Sequence, residues 1–296
     1  MCGIAGLIDP ALTAEKSAAR ARAMVDAIAY RGPDGVDLWS DFSAGIAIGH
    51  RRLAIVDLTP SGAQPMVSGD GRWIISYNGE VYNAETIAHG PQMAGLSRRG
   101  TSDTEIIVES VARRGLESTL ADLNGMFAIA LWDRATRTLH LVRDRLGIKP
   151  LFYAQTPNGF CFASEMKSFA AGGFAFAVDP ASVASFLRFG YVPAPHSIYR
   201  GVAKLRPGEW VSYRPDGQLQ QRLYWSLDVV ALEGMNHQFA GSDAQAEERL
   251  HELLADAVSG NMVSDVSIGA FLSGGIDSST VAALMSPTVS SDSGRR

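Results

Sequence analysis

The sequence predicts an α+β fold of stacked layers, helices outside and sheets inside, followed by the opening of an α/β segment. Three observations carry this expectation. Short apolar runs of strand length alternate with amphipathic helical stretches through the first two-thirds of the chain. Near the far end the order becomes apolar run, glycine loop, helix, which is how an open α/β domain begins. The composition, 46% hydrophobic and 19% charged over 296 residues, suits a globular chain of one large or two medium domains.

The elements follow in order. Thr13 stands at a cap position, and Ala21, Met24, Val25 and Ile28 share one face of a helix over 14–29. RGPDG ends it, since Gly and Pro do not continue a helix. Strands are expected at AGIAIGH (44–50), WIISYN (73–78), MFAIALW (126–132), TLHLV (138–142) and FCFAS (160–164), with a hairpin around DRATR (133–137). A helix from Ser102 to Arg114 has Ser102 and Glu105 at capping-box spacing, Ile106, Ile107 and Val111 within it, and Gly115 as its stop. Residues 175–240 hold turn-rich stretches (YVPAPHS, RPGEW, YRPDGQ) and little helical signal, so they read as a connecting region.

The stretch SDAQAEERLHELLADAVSG (242–260) is an amphipathic helix with Leu250, Leu253, Leu254, Ala257 and Val258 on one side and Gly260 closing it. SIGAFLS then reads as a buried strand, SGGIDSS as a loop and STVAALM as a new helix, ahead of the Ser-rich SPTVSSDSGRR.

Charge and cysteine usage exclude several classes. A net charge of −5 with no Lys/Arg run argues against a nucleic-acid or anionic-membrane surface. The start lacks a basic n-region followed by an apolar h-region, and no apolar run approaches membrane-spanning length. Cys2 and Cys161 cannot make a disulfide framework, so a reducing, cytoplasmic setting is expected. The six histidines show no HxxxH or HExxH spacing and there is no CxxC, which leaves a protein-ligated zinc centre without support.

Two places suggest chemistry. A lone cysteine is more often a small buried hydrophobe than a nucleophile. Cys2, however, follows the initiator methionine, and removal of Met1 before this small residue leaves it with a free α-amino group. That amine has a reference pKa of about 7.7–8.0, against about 8.5 for the thiol. It titrates where a general base is most effective, so the chain end can supply nucleophile and base together. Cys161, in an alternating strand, reads as a core residue.

The second place is SGGIDSS. Two glycines let backbone N–H groups approach a ligand, and the following helix presents its positive end there. Ser273, Ser278 and Ser279 add hydroxyls, and Asp277 can help hold Mg²⁺ on a bound phosphate. The GK[ST] lysine of a Walker A loop is missing. A bare SGG is a simple connector; the full SGGxDSS between an apolar run and a helix favours phosphate. The loop resembles the pyrophosphate-binding loop of ATP pyrophosphatases, and DVSIGAFLSGGIDSS resembles the version in asparagine synthetases and their relatives. Ser267 departs from the proline usual there, which affects loop stiffness more than chemistry. The resemblance implies ATP binding by Leu272, Ser273, Gly274, Gly275, Asp277, Ser278 and Ser279.

MCGIAG, RGPDG, GHRRLAIVDL, QPM, YNGEVYN, SDTE, LNGMFAIALWD, RDRLGIKPLFY and FASE occur in the order seen in class II glutamine amidotransferases. In particular they resemble the family of bacterial-type glutamine-hydrolysing asparagine synthetases, from Met1 to about Met285. This implies a four-layer α/β/β/α N-terminal-nucleophile glutaminase sandwich over 1–190 and a connecting region over 191–240. The incomplete start of an ATP pyrophosphatase-type synthetase domain would occupy 241–296.

The same resemblance implies Cys2 as nucleophile, with the Asn78 side-chain amide and the Gly79 N–H as oxyanion donors. Arg52 grips the glutamine carboxylate, Asp103 binds its ammonium, Glu80 completes the pattern, and the 52–56 backbone with Leu53, Ile55 and Val56 lines the substrate. Plainer readings stand beside these. A bare Asn-Gly is a hairpin turn, so YNGEVYN can be a turn that also presents two donors. Arg52 can be a surface partner of Asp57, with Arg51 the likelier surface residue of the pair. Asp103 suits a helix start whatever the function, and Glu80 can face solvent. Arg31 and the RDRLGIKP run can be turns held by ion pairs; the resemblance has them shape the pocket or its exit, without a catalytic role.

The implied reaction forms a γ-glutamyl thioester on Cys2 and releases ammonia, which travels inside the protein to ATP-activated aspartate. The products are asparagine, AMP and pyrophosphate. ATP and Mg²⁺ serve the synthetase half, glutamine hydrolysis needs no cofactor, and a homodimer is implied. The stretch after Gly241 falls short of the ~100–200 residues of a doubly wound domain. Glutamine hydrolysis is therefore expected of the chain and asparagine synthesis is not. Three readings stay open: an asparagine synthetase polypeptide, a relative amidating another carboxylate in a natural-product or surface-polymer pathway, and a non-catalytic fragment. Intact Cys2, Arg52, Asn78 and Asp103 weigh against the last, and the apolar face of the helix at 243–258 weighs for it.

Overall fold

Strands whose alternate residues are apolar on both faces need cover on both sides, and this chain supplies it with two sheets and two helical layers. The structure, a computed structural model, describes residues 1–291 and side chains through Met285. The last residues of the Ser-rich tail, 292–296, lie outside the described residues. In order come β1 (Gly3–Ile8), α1 (Ala14–Asp26), β2 (Gly35–Asp41), β3 (Ile46–Arg52), β4 (Met66–Val67) and β5 (Trp73–Val81). Then follow α2 (Ala84–Ala88), α3 (Asp103–Arg114), α4 (Leu116–Asp122), β6 (Gly125–Asp133), β7 (Thr138–Arg143), β8 (Phe152–Thr156) and β9 (Gly159–Ala163). Helices α5 (Lys167–Ala171) and α6 (Pro180–Phe189) precede β10 (Val202–Lys204), β11 (Glu209–Tyr213) and β12 (Leu219–Leu223).

The first sheet has the order β10-β8-β9-β1-β3-β2 and the second β12-β11-β7-β6-β5-β4, antiparallel throughout. Ile4, Ile8, Ile46 and Ile48 of the first sheet pack against Ile74, Ala128, Ala130 and Trp132 of the second. On the outer face of the first, Ala5, Leu7 and Ala47 meet Ala21, Met24 and Val25 of α1 and Phe169 of α5. On the outer face of the second, Ile75, Tyr77 and Ile129 meet Ile106, Ile107 and Val111 of α3 and Leu120 of α4. The layers are α/β/β/α, the expected sandwich. Fully burying each of the larger side chains contributes about 1.5–3 kcal/mol.

Several local expectations need correction. Glu105 does not close a capping box with Ser102: its carboxylate accepts the Arg99 and Gly100 N–H groups and pairs with Arg99 Nε at 2.8 Å, while Ser102 Oγ accepts Thr104 N–H at 3.2 Å. The first compact unit runs from Met1 to Ser226, past the boundary expected at residue 190. The region read as connecting holds α6 and three strands: β10 extends the first sheet on β8, and β11 with β12 extends the second on β7. Strands of three to five residues between turns are too short to show a period.

The second unit, Leu227–Arg296, contains α7 (Leu227–Asn236), α8 (Asp243–Gly260) and α9 (Ile276–Ser291). Ser242 and Gln245 form a complete capping box on α8, and Asn261, not Gly260, is its C-cap. SIGAFLS is not a buried strand: residues 267–273 are irregular and Phe271 is fully exposed. A strand needs a partner for its N–H and C=O groups, and this unit has no other strand among the described residues. Among the described residues no helix is long and apolar enough to cross a membrane.

Candidate active site

Gly3 pairs with Arg51, which lays the start of the chain along the end of β3 and brings Cys2 to the residue that follows that strand. Cys2 Sγ accepts the Leu53 N–H at 3.3 Å, and its S–H donates to the Leu53 carbonyl at 3.6 Å. Burial pushes the thiol up, opposed by the Leu53 N–H, the terminal amine and Arg52. Burial also pushes the terminal amine, here on Met1, below its ordinary value, and Arg31 adds to the effect. Both shifts favour the uncharged forms, the thiol and the neutral amine.

A cavity opens in front of Cys2. Its wall contains Arg52, Leu53, Ile55 and Val56 after β3, Asn78, Gly79 and Glu80 on β5, and Asp103 at the start of α3. The nine residues expected for the glutamine site therefore share one cavity. Cys161 stays in the core, where burial raises its thiol to about 12.

The Asn-Gly pair makes no turn; it lies inside the nine-residue strand β5, with Asn78 opposite Ala128 and Gly79 opposite Phe127. The pairing with β6 takes the place that a hairpin would have had. Asn78 lies on the face of β5 turned toward the first sheet, as Ile74 and Ser76 do. It is 1% exposed, and its Nδ2 finds no hydrogen-bond partner among the described residues. A buried amide donor without a partner costs stability, and this one lies in the wall of the cavity, which makes it a candidate ligand contact.

The neighbouring backbone points the same way. β4 covers only Ile74 and Ile75, leaving the rest of that edge of β5 without a strand partner. Tyr77 N–H goes to Gln64 Oε1 at 2.6 Å and Val81 N–H to Asp103 Oδ2 at 3.0 Å. Strand alternation turns the Gly79 N–H toward the same edge, between them.

The charged groups divide the cavity. Arg52 Nη1 donates to the Thr59 carbonyl at 3.0 Å and Nη2 to the Asp57 carbonyl, so the 57–59 loop fixes the guanidinium. The Asp57 carboxylate accepts Thr59 N–H, Ser61 Oγ and Thr101 N–H. Arg51, expected at the surface, lies against α1 with its side chain 13% exposed, donating to Val25 O and Asp26.

Glu80 is likewise not a solvent-facing residue: its Oε1 is buried without a partner among the described residues. Burial and the nearby Asp103 raise it to about 7, against the pull of Lys149. Burial raises Asp103 too, opposed by its bonds from Tyr77 and Val81. His50, buried behind this layer against Ser76, is lowered to about 3 by burial and Arg52, and so is no base at neutral pH.

Sequence reasoning missed Gln64, Tyr77, Met126 and Lys149, which also line the wall. Gln64 bridges Tyr77 N–H and Thr104 Oγ1, joining β5 to α3. The motifs QPM, YNGEVYN, LNGMFAIALWD and RDRLGIKPLFY contained all four. What was lacking was the β5–α3 contact that makes these residues neighbours. The RDRLGIKP loop is organised by its own backbone more than by ion pairs. Asp144 accepts the N–H groups of Phe127, Leu146, Ile148 and Lys149, and Arg143 donates to the carbonyls of Gly147, Lys149 and Leu205.

In the second unit, Leu272 to Ser279 form a loop and the first turn of α9. Ser278 Oγ accepts Ser273 N–H at 3.3 Å and donates to Gly275 O at 3.1 Å, and Gly274 takes φ +81°. Among the described residues no group of three or more His, Cys, Asp or Glu stands together to hold a metal ion.

An antiparallel α/β/β/α sandwich with a cysteine nucleophile candidate at its edge defines the amidotransferase type of fold. Among solved structures, glutamine phosphoribosylpyrophosphate amidotransferase from B. subtilis shares it, with a TM-score of 0.57 at 17% identity over 76% of this chain and 49% of that one. The profile of the glutamine amidotransferase domain matches residues 1–225, and the chain belongs to that family. The asparagine synthase profile matches residues 249–292. Asparagine synthetase [glutamine-hydrolyzing] 3 of Bacillus subtilis is 36% identical over 96% of this chain and 45% of its own length. Asparagine synthetase [glutamine-hydrolyzing] 2 of the same organism is 35% identical over 95% and 38%. Amidase chry2 of Gibberella zeae is 34% identical over 97% and 43%. The chain spans less than half the length of these relatives.

Proposed function

We propose that the first unit hydrolyses glutamine to glutamate and ammonia, with Cys2 as nucleophile once Met1 is removed. The freed α-amine takes the thiol proton, and the sulfur attacks the side-chain amide carbon. The oxygen of that carbonyl gains the negative charge and is met by Asn78 Nδ2 and the Gly79 N–H. Collapse of this intermediate breaks the C–N bond, and the amine returns its proton to the departing ammonia. Water, deprotonated by the same amine, then cleaves the thioester to glutamate. Arg52 holds the substrate carboxylate, and Asp103 with Glu80 holds its ammonium. The observation that carries the reading is the buried Asn78 amide without a partner, in one cavity with the Cys2 sulfur.

Ammonia is then passed to a carboxylate activated by ATP. The match of residues 249–292 to asparagine synthase supports aspartate as acceptor. Leu272, Ser273, Gly274, Gly275, Asp277, Ser278 and Ser279 would meet the ATP phosphates through loop N–H groups and the N-terminus of α9. Asp277 would help hold Mg²⁺ on the bound phosphates. Relatives named amidases favour a second reading, in which the acceptor is another carboxylate. The cytoplasmic setting and the homodimer belong to this reading on family grounds.

The test combines the N-terminal mass with glutamate release by wild type and Cys2→Ala. Loss of Met1 and a fall of at least ~10³ in kcat for the variant are expected. A retained Met1 on active protein, or hydrolysis by Cys2→Ala, overturns the mechanism. In a longer polypeptide that carries a whole synthetase domain after these residues, asparagine and AMP formed from aspartate and ATP support the first acceptor; AMP formed only with another carboxylate supports the second.

A further inference from the structure

We infer that Glu165 is a positioning residue for Cys2, acting through Arg31; this rests on the glutaminase reading above. The FASE motif, residues 162–165, supplies no group to the steps of that reaction. Its serine stitches the chain after β9 to β1: Ser164 N–H donates to Ile4 O at 2.8 Å, and Ser164 Oγ accepts Ile4 N–H at 3.0 Å. Glu165 follows, and its Oε1 accepts Arg31 Nη1 at 2.9 Å as well as the Tyr30 hydroxyl. Its Oε2 lies 3.5 Å from Lys167 Nζ, which sits 3.9 Å over the Tyr30 ring. From the other side of the same guanidinium, Arg31 Nε donates to the Cys2 carbonyl at 3.0 Å.

The geometry matters because of where Cys2 stands. Once Met1 is gone, no residue precedes it, and rotation about its Cα–C bond swings the amine and the sulfur together. A carbonyl held by a buried arginine stops that rotation. Arg31 is itself 9% exposed, and Glu165 is the carboxylate that holds it. Burial disfavours the charge on Glu165, but the Tyr30 hydroxyl and Arg31 outweigh it and keep the carboxyl below its usual value. Without that charge, Arg31 loses its fixed direction and Cys2 its anchor. Misplacement of a reacting group by about 1 Å can cost ~10²-fold in rate.

The experiment uses the full chain as Glu165→Gln, which keeps the shape and removes the charge, and Glu165→Asp, which keeps the charge on a shorter arm. Kinetics are expressed per active site, titrated by complete alkylation of Cys2, and the rate of that alkylation by iodoacetamide is measured separately. For Glu165→Gln, kcat per site is expected to fall about 10- to 100-fold with KM within threefold, the alkylation rate falling in parallel. Glu165→Asp is expected to lie between that variant and wild type. A merely structural role would lower the number of titrated sites and leave kcat per site unchanged. That result, or a raised KM with kcat intact, overturns the inference.

If Glu165→Gln does not fold, Tyr30→Phe decides. It removes one restraint on Glu165 at a residue that is 64% exposed. A two- to fivefold loss of kcat per site supports the inference and an unchanged value overturns it. Cys2→Ala run alongside separates the cases: hydrolysis surviving there defeats the glutaminase reading, whereas a normal Glu165→Gln beside a dead Cys2→Ala defeats only the role of Glu165.

Discussion

Tyr77 donates its hydroxyl to Asp103 Oδ2 at 2.7 Å, tying strand β5 to the first residue of α3 across the floor of the cavity. Burial and Asp103 itself raise the Tyr77 hydroxyl well above its usual range, so it remains a donor at every working pH. Burial lifts the Asp103 carboxyl, and the Tyr77 bond is first among the contacts that oppose this. Tyr77→Phe removes a hydrogen bond to a charged acceptor, about 1.5–3 kcal/mol. The expected outcome is a glutamine KM raised roughly tenfold or more at pH 7 with kcat within about threefold. The loss is expected to deepen as pH falls, because without the Tyr77 bond less opposes the burial that favours the protonated Asp103 carboxyl. Steady-state glutamate release between pH 6 and 8 measures both.

Glu80 predicts a pH dependence of its own. Its carboxyl is raised to about 7 by burial and Asp103. Binding of an ammonium needs the ionised form, so kcat/KM for glutamine is expected to rise with pH through about 7, and Glu80→Gln is expected to flatten that limb. The stability effect has the opposite sign. A carboxyl with a raised native pKa binds more protons folded than unfolded, so stability falls as pH rises from its unfolded value, near 4.5, to about 7. Glu80→Gln is therefore expected to raise Tm at pH 8 and leave it nearly unchanged at pH 4.5. Thermal unfolding of both proteins at the two pH values checks this.

The sequence made the sandwich legible where periods were long. Strands β5, β6 and β7 and helices α1 and α3 fall where the apolar patterns put them, within a few residues. It failed where neighbours decide. Residues 267–273 have the apolar content of a strand and no sheet to join. Asn78-Gly79 has the signature of a turn, yet the run of β6 from Gly125 to Asp133 holds it extended. The site residues were legible through resemblance, since their spacing from 2 to 103 has no local period. Gln64 and Lys149 stayed hidden because only the packed layers bring them to the wall.

Gly79 shows how closely β6 is applied. A Cβ at this position would stand 2.2 Å from the Met126 carbonyl oxygen and 2.7 Å from Phe127 Cα, both backbone. No rotamer change relieves such contacts, so the two strands would have to part. Gly79→Ala is expected to destabilise the first unit by about 2–4 kcal/mol. That corresponds to a Tm lower by several degrees at this size. A Tm within a degree of wild type would show that the β5–β6 pairing is looser than its register implies.

Asn78 poses the sharpest test, because its two effects run in opposite directions. The side-chain amide is 1% exposed with Nδ2 unpartnered among the described residues, so in the absence of substrate it burdens the fold. In the proposed chemistry its use comes only when an oxyanion forms in front of Cys2. Asn78→Ala leaves a small space but removes the unpaired donor, and its stability is expected to lie within about 1 kcal/mol of wild type. The rate tells the other half: loss of one oxyanion donor costs about 10²–10³ in kcat, with KM nearly unchanged because the ground-state amide does not need it. Denaturant titration and single-turnover glutamate release on the same preparation read the two quantities together. A large stability loss with kcat intact would make Asn78 a packing residue and remove the donor from the proposed chemistry.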